Sequence, residues 1–147
     1  MTDLWHLEDF TVGRVFHCGP YAVTKDEIIE FAREFDAQPH HPDEEAAKTS
    51  MLKGLSASGF HVCAMTMRML ADDILNKSAN RGGAGAREVR WMKPVRPGDV
   101  LRVEAEVAAV KASQSKPIGF ITMDCRLFNQ TEQVAFLSMT PIIGKRA

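Results

Sequence analysis

The stretch GLSASGFHVCAMTMRMLADDIL, residues 54–75, decides the fold of this 147-residue chain. After a small and polar opening, its first half is apolar on nearly every side, and charged residues appear only from Arg68 onward. A helix that is apolar all round is normally buried in a protein core. The pattern therefore predicts a long central helix over residues 60–75, against which the rest of the chain packs.

The C-terminal half has the two-residue period of strands with one buried and one wetter face. The alternation is clearest over residues 101–107 and 121–127, with further strands expected around residues 89–91 and over 134–143. Residues 94–99 and 129–132 are typical of turns, and the glycine-rich segment 80–85 is interpreted as a flexible loop. Together these patterns predict a four-strand antiparallel meander.

The N-terminal part predicts a short strand over residues 16–23 and a helix over residues 25–35. Thr24 and Glu27 have the spacing of a capping box, in which the Thr24 hydroxyl accepts from the Glu27 amide and the Glu27 carboxylate reaches back. A second, short helix is expected to begin at Asp43 and to end near residue 50. We therefore expect one α+β domain over residues 1–147, with a curved sheet wrapped around the central helix and the first strand in the same sheet.

Composition excludes several classes of protein. The 18 Lys and Arg residues nearly balance the 19 Asp and Glu residues, which argues against a nucleic-acid partner. Cys18, Cys63 and Cys125 have the spacing of neither a disulfide framework nor a metal knuckle, and we expect reduced thiols in the core. No signal-like or membrane-spanning apolar stretch is present, so we expect a cytoplasmic protein without a membrane partner.

The segment DAQPHHP, residues 36–42, is the clearest candidate for a catalytic site. Its two prolines stiffen the backbone and hold Asp36 and His41 close together. A carboxylate and an imidazole that converge can bind one water, with one group accepting a proton while the other donates, and imidazole titrates near neutral pH. The alternative is an exposed turn with incidental polar residues, which residue types alone favour.

A metal site is not expected. His40, His41 and His61 with Asp36 supply suitable ligand types, but adjacent histidines cannot easily aim both rings at one ion and no recognised ligand spacing is present.

The start of the central helix is a second candidate feature. The unpaired amides at a helix N-terminus can stabilise a developing oxyanion, and Gly59 stands at that position. The alternative is that Ser58 caps the helix and Gly59 permits close packing. The residues alone leave both interpretations open.

Four segments carry a resemblance to a known family. Residues 35–43, FDAQPHHPD, resemble the Asp-x-Asn-Pro-x-His-x-Asp signature of MaoC-like hydratases, which include (R)-specific enoyl-CoA hydratases. Residues 55–61 resemble the entry to the family's central helix, residues 91–99 a turn between strands, and residues 7–13 the family's opening. The four segments occur in the family's order. The resemblance implies a hot-dog fold, in which an antiparallel sheet wraps a long helix.

The resemblance also implies a function. It assigns catalysis to Asp36, His41 and the backbone amide of Gly59, in the hydration of a trans-2-enoyl thioester or the reverse dehydration. The substrate is expected to be an acyl-CoA, with no cofactor besides the CoA that the substrate carries. A homodimer or higher homo-oligomer is implied, with the site near the subunit interface. Substrate-binding residues are expected at Gln38, Pro39, His40, Ser58 and Phe60.

This chain departs from the family at three of those positions. Gln38 replaces the signature Asn, His40 replaces an apolar residue, and Ser58 stands where the family often has His. Basic side chains at positions 93, 96, 111 and 116 either meet CoA phosphates or form a solvated face. Two other functions stay open: a hot-dog thioesterase, which often uses a carboxylate on the central helix, and a non-catalytic acyl-CoA-binding module.

Overall fold

The central helix lies against one face of a five-stranded antiparallel sheet in a computed structural model that describes residues 3–147. In chain order the elements are β1 (Val15–Ala22), α1 (Lys25–Phe35), α2 (Glu44–Lys48), α3 (Gly59–Asp73), β2 (Asn80–Trp91), β3 (Val100–Ala112), β4 (Ile118–Phe128) and β5 (Gln133–Gly144). Short 3₁₀ helices occupy Leu7–Asp9 and Leu75–Lys77. This is the α+β hot-dog architecture that the resemblance implied.

The core forms where the inward positions of the sheet meet α3. Every second residue of β4 is buried, as the period-two pattern predicted. On α3, Met65, Met69 and Leu70 are at most 3% exposed and belong to the same cluster as those strand residues. Burying a side chain of this size contributes about 1.5–3 kcal/mol, so the helix–sheet contact dominates stability. Two of the three cysteines, Cys18 and Cys125, are buried in this core as free thiols.

The predicted four-strand meander is wrong in one respect. The sheet order is β1-β3-β4-β5-β2, so only β3, β4 and β5 form a meander. β2 pairs with β5 at one edge, and β1 pairs with β3 at the other. Periodicity identifies strands, but strand order depends on pairing between distant segments.

The prediction of a flexible loop at residues 80–85 is also wrong. These residues form the first half of β2, and Gly82 and Gly83 pair with Ile142 and Pro141 of β5. Gly82 and Gly85 have φ values of 125° and 151°, and the register shifts around them. The glycines therefore serve as bulges that bend an edge strand.

All three helix predictions hold with small changes, and α2 spans Glu44–Lys48 within the predicted residues 43–50. α1 spans residues 25–35 as predicted, and the Glu27 amide donates to the Thr24 hydroxyl at 3.2 Å. The reciprocal half of the capping box is absent in this helix, because the Glu27 carboxylate accepts from the Tyr21 hydroxyl at 2.6 Å instead. α3 ends at Asp73, and the remaining predicted residues enter a 3₁₀ turn.

Arg96 anchors the segment that leads into α3. Its guanidinium donates from Nη1 to the Leu55 carbonyl at 3.1 Å and from Nη2 to the Leu52 carbonyl. The Ala57 amide donates to the Val95 carbonyl at 2.8 Å, next to this contact. The approach to the helix N-terminus is therefore tied to the turn before β3.

Replacing Arg96 by Met is expected to lower the free energy of unfolding by about 2 kcal/mol, because hydrogen bonds from a charged group are lost and two carbonyls lose their partner. Urea unfolding followed by circular dichroism measures this change. Arg68→Met serves as the control, since Arg68 forms an exposed pair with Asp72 within α3 and its loss is expected to cost less than about 0.5 kcal/mol. Equal losses in the two variants would contradict the anchoring role.

Candidate active site

Asp36 stands where α1 ends. Its backbone amide donates to the Ala32 carbonyl at 2.9 Å and closes the last turn of the helix. The chain then bends, with the His41 amide donating to the Gln38 carbonyl at 2.9 Å. This bend returns the imidazole toward the carboxylate, and His41 Nε2 lies 3.6 Å from Asp36 Oδ2. The predicted convergence of the two side chains is present.

Two neighbouring side chains hold the Asp36 carboxylate. The Gln38 amide donates to Oδ1 at 2.6 Å, and the Ser58 hydroxyl donates to Oδ2 at 2.6 Å. Burial by itself raises the pKa of Asp36, but these hydrogen bonds and the nearby His41 outweigh it, so the pKa lies below its ordinary value. The carboxylate is therefore ionised and fixed in orientation.

His41 is oriented by a backbone carbonyl. The ring is 7% exposed, and Nδ1 lies 3.1 Å from the Ser56 carbonyl oxygen. A carbonyl only accepts, so Nδ1 carries the hydrogen. In the neutral ring Nε2 then has the lone pair, and Nε2 is the nitrogen that faces Asp36. The imidazole is thus presented as a proton acceptor on the side of the carboxylate.

Ser58 does not cap α3. It occupies the N-cap position with an extended backbone, but its hydroxyl makes no capping hydrogen bond and donates to Asp36 instead. The interpretation of Ser58 as a capping residue is therefore wrong. Since the first amides of a helix have no partner within it, the Gly59 amide remains an available donor beside Asp36.

A cleft of about 450 Å³ opens onto these groups. Its polar side is formed by Asp36, Gln38 and His41, with the start of α3 next to them. The remaining walls are largely apolar and come from the segment before α3, the first turn of α3, the end of β2 with the segment after it, and β5: Met51, Leu52, Val62, Trp91, Met92, Pro94, Val95 and Val134. A polar end with apolar walls suits a ligand whose reactive group is polar and whose chain is apolar.

Trp91 is a lining residue that sequence reasoning missed. A Cβ built on Gly59 would lie 2.3–2.6 Å from three indole carbons of Trp91, so the indole rests directly on the start of α3. Phe60 contacts the indole edge-on, with ring centroids 5.4 Å apart. The close packing expected of Gly59 is therefore present together with the free amide. No pattern in the sequence signals that the end of β2 meets this turn.

Five of the eight predicted site residues line the cleft: Asp36, Gln38, His41, Gly59 and Phe60. The other three lie outside the lining. Ser58 is fully buried beneath Asp36, Pro39 lies in the bend, and the His40 ring packs against the His41 ring at 4.2 Å. Of the four basic candidates for phosphate contact, Lys93 lines the cleft, whereas Arg96 is engaged with backbone carbonyls.

His61 belongs to a separate cluster. Its Nε2 lies 3.3 Å from Glu27 Oε1, and its ring stacks on Phe31 with centroids 4.5 Å apart. Throughout residues 3–147, no group of three or more His, Cys, Asp or Glu side chains is arranged to hold a metal ion. Over the same residues no helix combines the length and apolar character that crossing a bilayer requires.

The burial of His61 makes stability depend on pH. Burial lowers the pKa of His61 below 6.5, although Glu27 opposes the shift. The unfolded chain therefore takes up this proton first, and stability is lost as pH falls below about 6.5, by at most about 1.4 kcal/mol per pH unit. Urea unfolding at pH 7.5 and 5.5 is expected to show a smaller difference for His61→Gln than for the wild type. An equal difference would contradict the shift.

Comparison with known proteins places the chain in a family. The model of the MaoC like domain matches residues 9–123. The chain is 31% identical over 140 residues to the uncharacterized protein YdeM of Bacillus subtilis strain 168, covering 95% of this chain and 99% of that protein. The crystal structure of the MaoC-like dehydratase from Rhodospirillum rubrum shares 37% identity and a TM-score of 0.85, covering 97% of this chain and 98% of that one.

A third relative is longer. Mesaconyl-CoA hydratase of Cereibacter sphaeroides is 30% identical over 131 residues, which are 84% of this chain and 36% of that protein. The chain belongs to the MaoC-like domain family, whose members include hydratases and dehydratases.

Proposed function

We propose that this protein is a hydratase/dehydratase that interconverts trans-2-enoyl and 3-hydroxyacyl thioesters of CoA, without a metal or further cofactor. One observation carries the proposal: Asp36 and His41 converge to 3.6 Å beside the N-terminus of α3, whose amides are uncapped because Ser58 binds Asp36. An acid–base pair next to an oxyanion donor is the arrangement that addition of water to a conjugated thioester requires.

His41 Nε2 is proposed as the base. A gap of 3.6 Å is too long for a direct hydrogen bond but suits a water that donates one hydrogen to Nε2 and the other to the Asp36 carboxylate. As the water oxygen bonds to the β-carbon, its proton moves to Nε2. The lowered pKa of Asp36 makes this carboxylate a weak base, so its role is to orient the water and stabilise the imidazolium.

The second half of the reaction returns the proton. Electrons from the double bond move onto the thioester oxygen, where the Gly59 amide stabilises the negative charge. The imidazolium then donates its proton to the α-carbon from the same face, and the enolate collapses to the 3-hydroxyacyl thioester. One water is consumed, the thioester bond is kept, and His41 ends neutral. Dehydration is the same sequence reversed.

The relatives support this class of reaction. Two carry names that state dehydration or hydration, and one of these names a CoA ester. Lys93 is the one lysine or arginine among the residues that line the cleft, and it provides a cation for a phosphate of CoA. The apolar walls of the cleft provide a surface against which the acyl chain can pack.

A thioesterase that uses an acid on the central helix is less well supported. The two carboxylates of α3 lie at its far end, where Asp73 accepts from the Gly19 amide at 2.8 Å and Asp72 pairs with Arg68. Neither lines the cleft.

A panel of trans-2-enoyl-CoA and 3-hydroxyacyl-CoA esters of increasing length tests the function. Ultraviolet absorbance follows the conjugated thioester, and a thiol reagent follows free CoA. The proposal expects absorbance to fall with enoyl-CoA and to rise with 3-hydroxyacyl-CoA, without release of thiol. Thiol release alone would indicate a thioesterase, and binding without turnover would indicate a binding module.

We also propose a homodimer formed along β2. All twelve residues of this edge strand are exposed, including the large apolar Val89 and Trp91. A long edge strand that is exposed along its whole length is a template for pairing with a second chain. Light scattering is expected to give twice the chain mass for the wild type and the monomer mass for Val89→Asp. A monomeric wild type would contradict the proposal.

A further inference from the structure

Two polar contacts join α1 to α3. At the end of α1, Asp36 accepts from Ser58 at 2.6 Å. More than two turns earlier, Glu27 faces His61 at 3.3 Å. Ser58 is the N-cap of α3 and His61 lies in its first turn, so Asp36 and Glu27 both contact the same end of α3.

The second contact is buried and has several members. His61 is 4% exposed and stacks on Phe31 of α1, with an angle of only 8° between the rings. The Glu27 carboxylate accepts from the Tyr21 hydroxyl of β1 with Oε2, which leaves Oε1 to face His61. One carboxylate of α1 therefore meets both the sheet and the central helix.

The protonation of the imidazole fits this arrangement. Nδ1 of His61 and Oε1 of Glu27 are both buried without a hydrogen-bond partner among residues 3–147, so the 3.3 Å approach of Nε2 to Oε1 is a close polar contact that lacks hydrogen-bond alignment. A buried N–H without a partner is more costly than a buried lone pair, so the hydrogen of the neutral ring belongs on Nε2, toward Glu27. Glu30, Glu34 and Arg68 border the same depression but do not bond the ring.

We propose that His61 is a positioning residue, which with Glu27 and Tyr21 holds α1 in the place where Asp36 meets Ser58. α1 is a single eleven-residue helix with Asp36 as its C-cap, so a shift at Glu27 is transmitted along it to Asp36. A hydrogen bond of 2.6 Å weakens steeply when its partners separate. The expected effect of His61 on turnover rests on the proposed hydratase function. Its expected effect on the position and titration of the Asp36 carboxylate does not.

Titration of the Asp36 carboxyl carbon by ¹³C NMR tests the positioning role without any assay of activity. His61→Leu has a side chain of similar size but lacks the polar Nε2 that faces Glu27. It is expected to raise the titration midpoint of Asp36 by about half a pH unit or more, because the Ser58 hydrogen bond loosens. His61→Gln keeps a donor near the place of Nε2 and is expected to titrate as the wild type. Asp72→Asn, in an exposed pair on the same helix, is the matched control.

Turnover supplies a second readout. His61→Leu is expected to lower kcat about tenfold and to change KM less than twofold, because misplacement of a catalytic group acts on the chemical step. His61→Gln is expected to keep kcat near the wild-type value. If His61→Leu does not fold, Tyr21→Phe removes only one hydroxyl and is expected to change both readouts in the same direction. Unchanged Asp36 titration in a folded His61→Leu or Tyr21→Phe variant would overturn the inference. A wild type without hydration would overturn the proposed function, while the NMR titration would still decide the role of His61.

Discussion

Replacement of Asp36 by Asn is expected to lower kcat for enoyl-CoA hydration about a thousandfold while the protein stays folded. Asn has the shape of Asp and can still accept from Ser58, but it lacks the charge that orients a water and stabilises the His41 imidazolium. Initial rates with crotonyl-CoA measure the loss, and circular dichroism with thermal unfolding establishes that the fold is kept.

Two further variants sharpen this prediction. His41→Ala removes the proposed base and is expected to cause a loss of similar size, and the double variant is expected to be little worse than either single one, because the pair acts as a unit. Asp72→Asn serves as the control and is expected to keep wild-type rates. Wild-type turnover in Asp36→Asn or His41→Ala would show that the assigned roles are wrong.

Substitution of Gly59 is expected to give the second large effect. In Gly59→Ala the new Cβ would lie 2.3 Å from the indole of Trp91, so the indole must leave its place on the first turn of α3. We expect kcat/KM to fall about a hundredfold and stability to fall by about 1–3 kcal/mol, as for other overpacked sites. Gly83→Ala is the control, because the nearest atom to its Cβ lies 4.0 Å away.

The Trp91→Ala background separates the steric role of Gly59 from the role of its amide. With the indole removed, Gly59→Ala is expected to keep most of the activity of Trp91→Ala. Gly59→Pro in the same background removes the N–H and is expected to lose a further factor of about 10²–10³. Proline is tolerated at the first position of a helix, and Ser58 already has the extended backbone, with φ −52° and ψ 143°, that precedes a proline. Equal activity of the Ala and Pro variants would remove the Gly59 amide from the mechanism.

Local patterns were sufficient to predict most of the elements and the pair at the centre of the site. The helix over residues 25–35 is marked by Thr24 at its start and by apolar residues at helical spacing, and its observed bounds are the same. Asp36 and His41 were predicted to converge because prolines restrict the few residues between them. In both cases the determining contacts lie within one short segment.

The missed features depend on contacts between distant segments. The glycines at positions 82 and 83 look like a loop until β5 supplies hydrogen-bond partners. Trp91 reaches Gly59 only because β2 lies at the sheet edge next to β5, and not beside β3 as expected. The role of Ser58 stayed open between a helix cap and a site residue, because nothing local indicates that Asp36 takes its hydroxyl. Side-chain partners of this kind follow from the fold and cannot be predicted before it.

The most direct test of the central claim is the position of oxygen after incubation of crotonyl-CoA with the protein in H₂¹⁸O, read by mass spectrometry of the acyl fragments. Water added between Asp36 and His41 is expected to place one ¹⁸O on the β-carbon of an intact 3-hydroxybutyryl-CoA. At the same enzyme concentration and over the same short time, the Asp36→Asn protein is expected to form about a thousandth as much labelled product. Recovery of the label in a free carboxylate together with free CoA, or of unlabelled crotonyl-CoA alone, would contradict the claim.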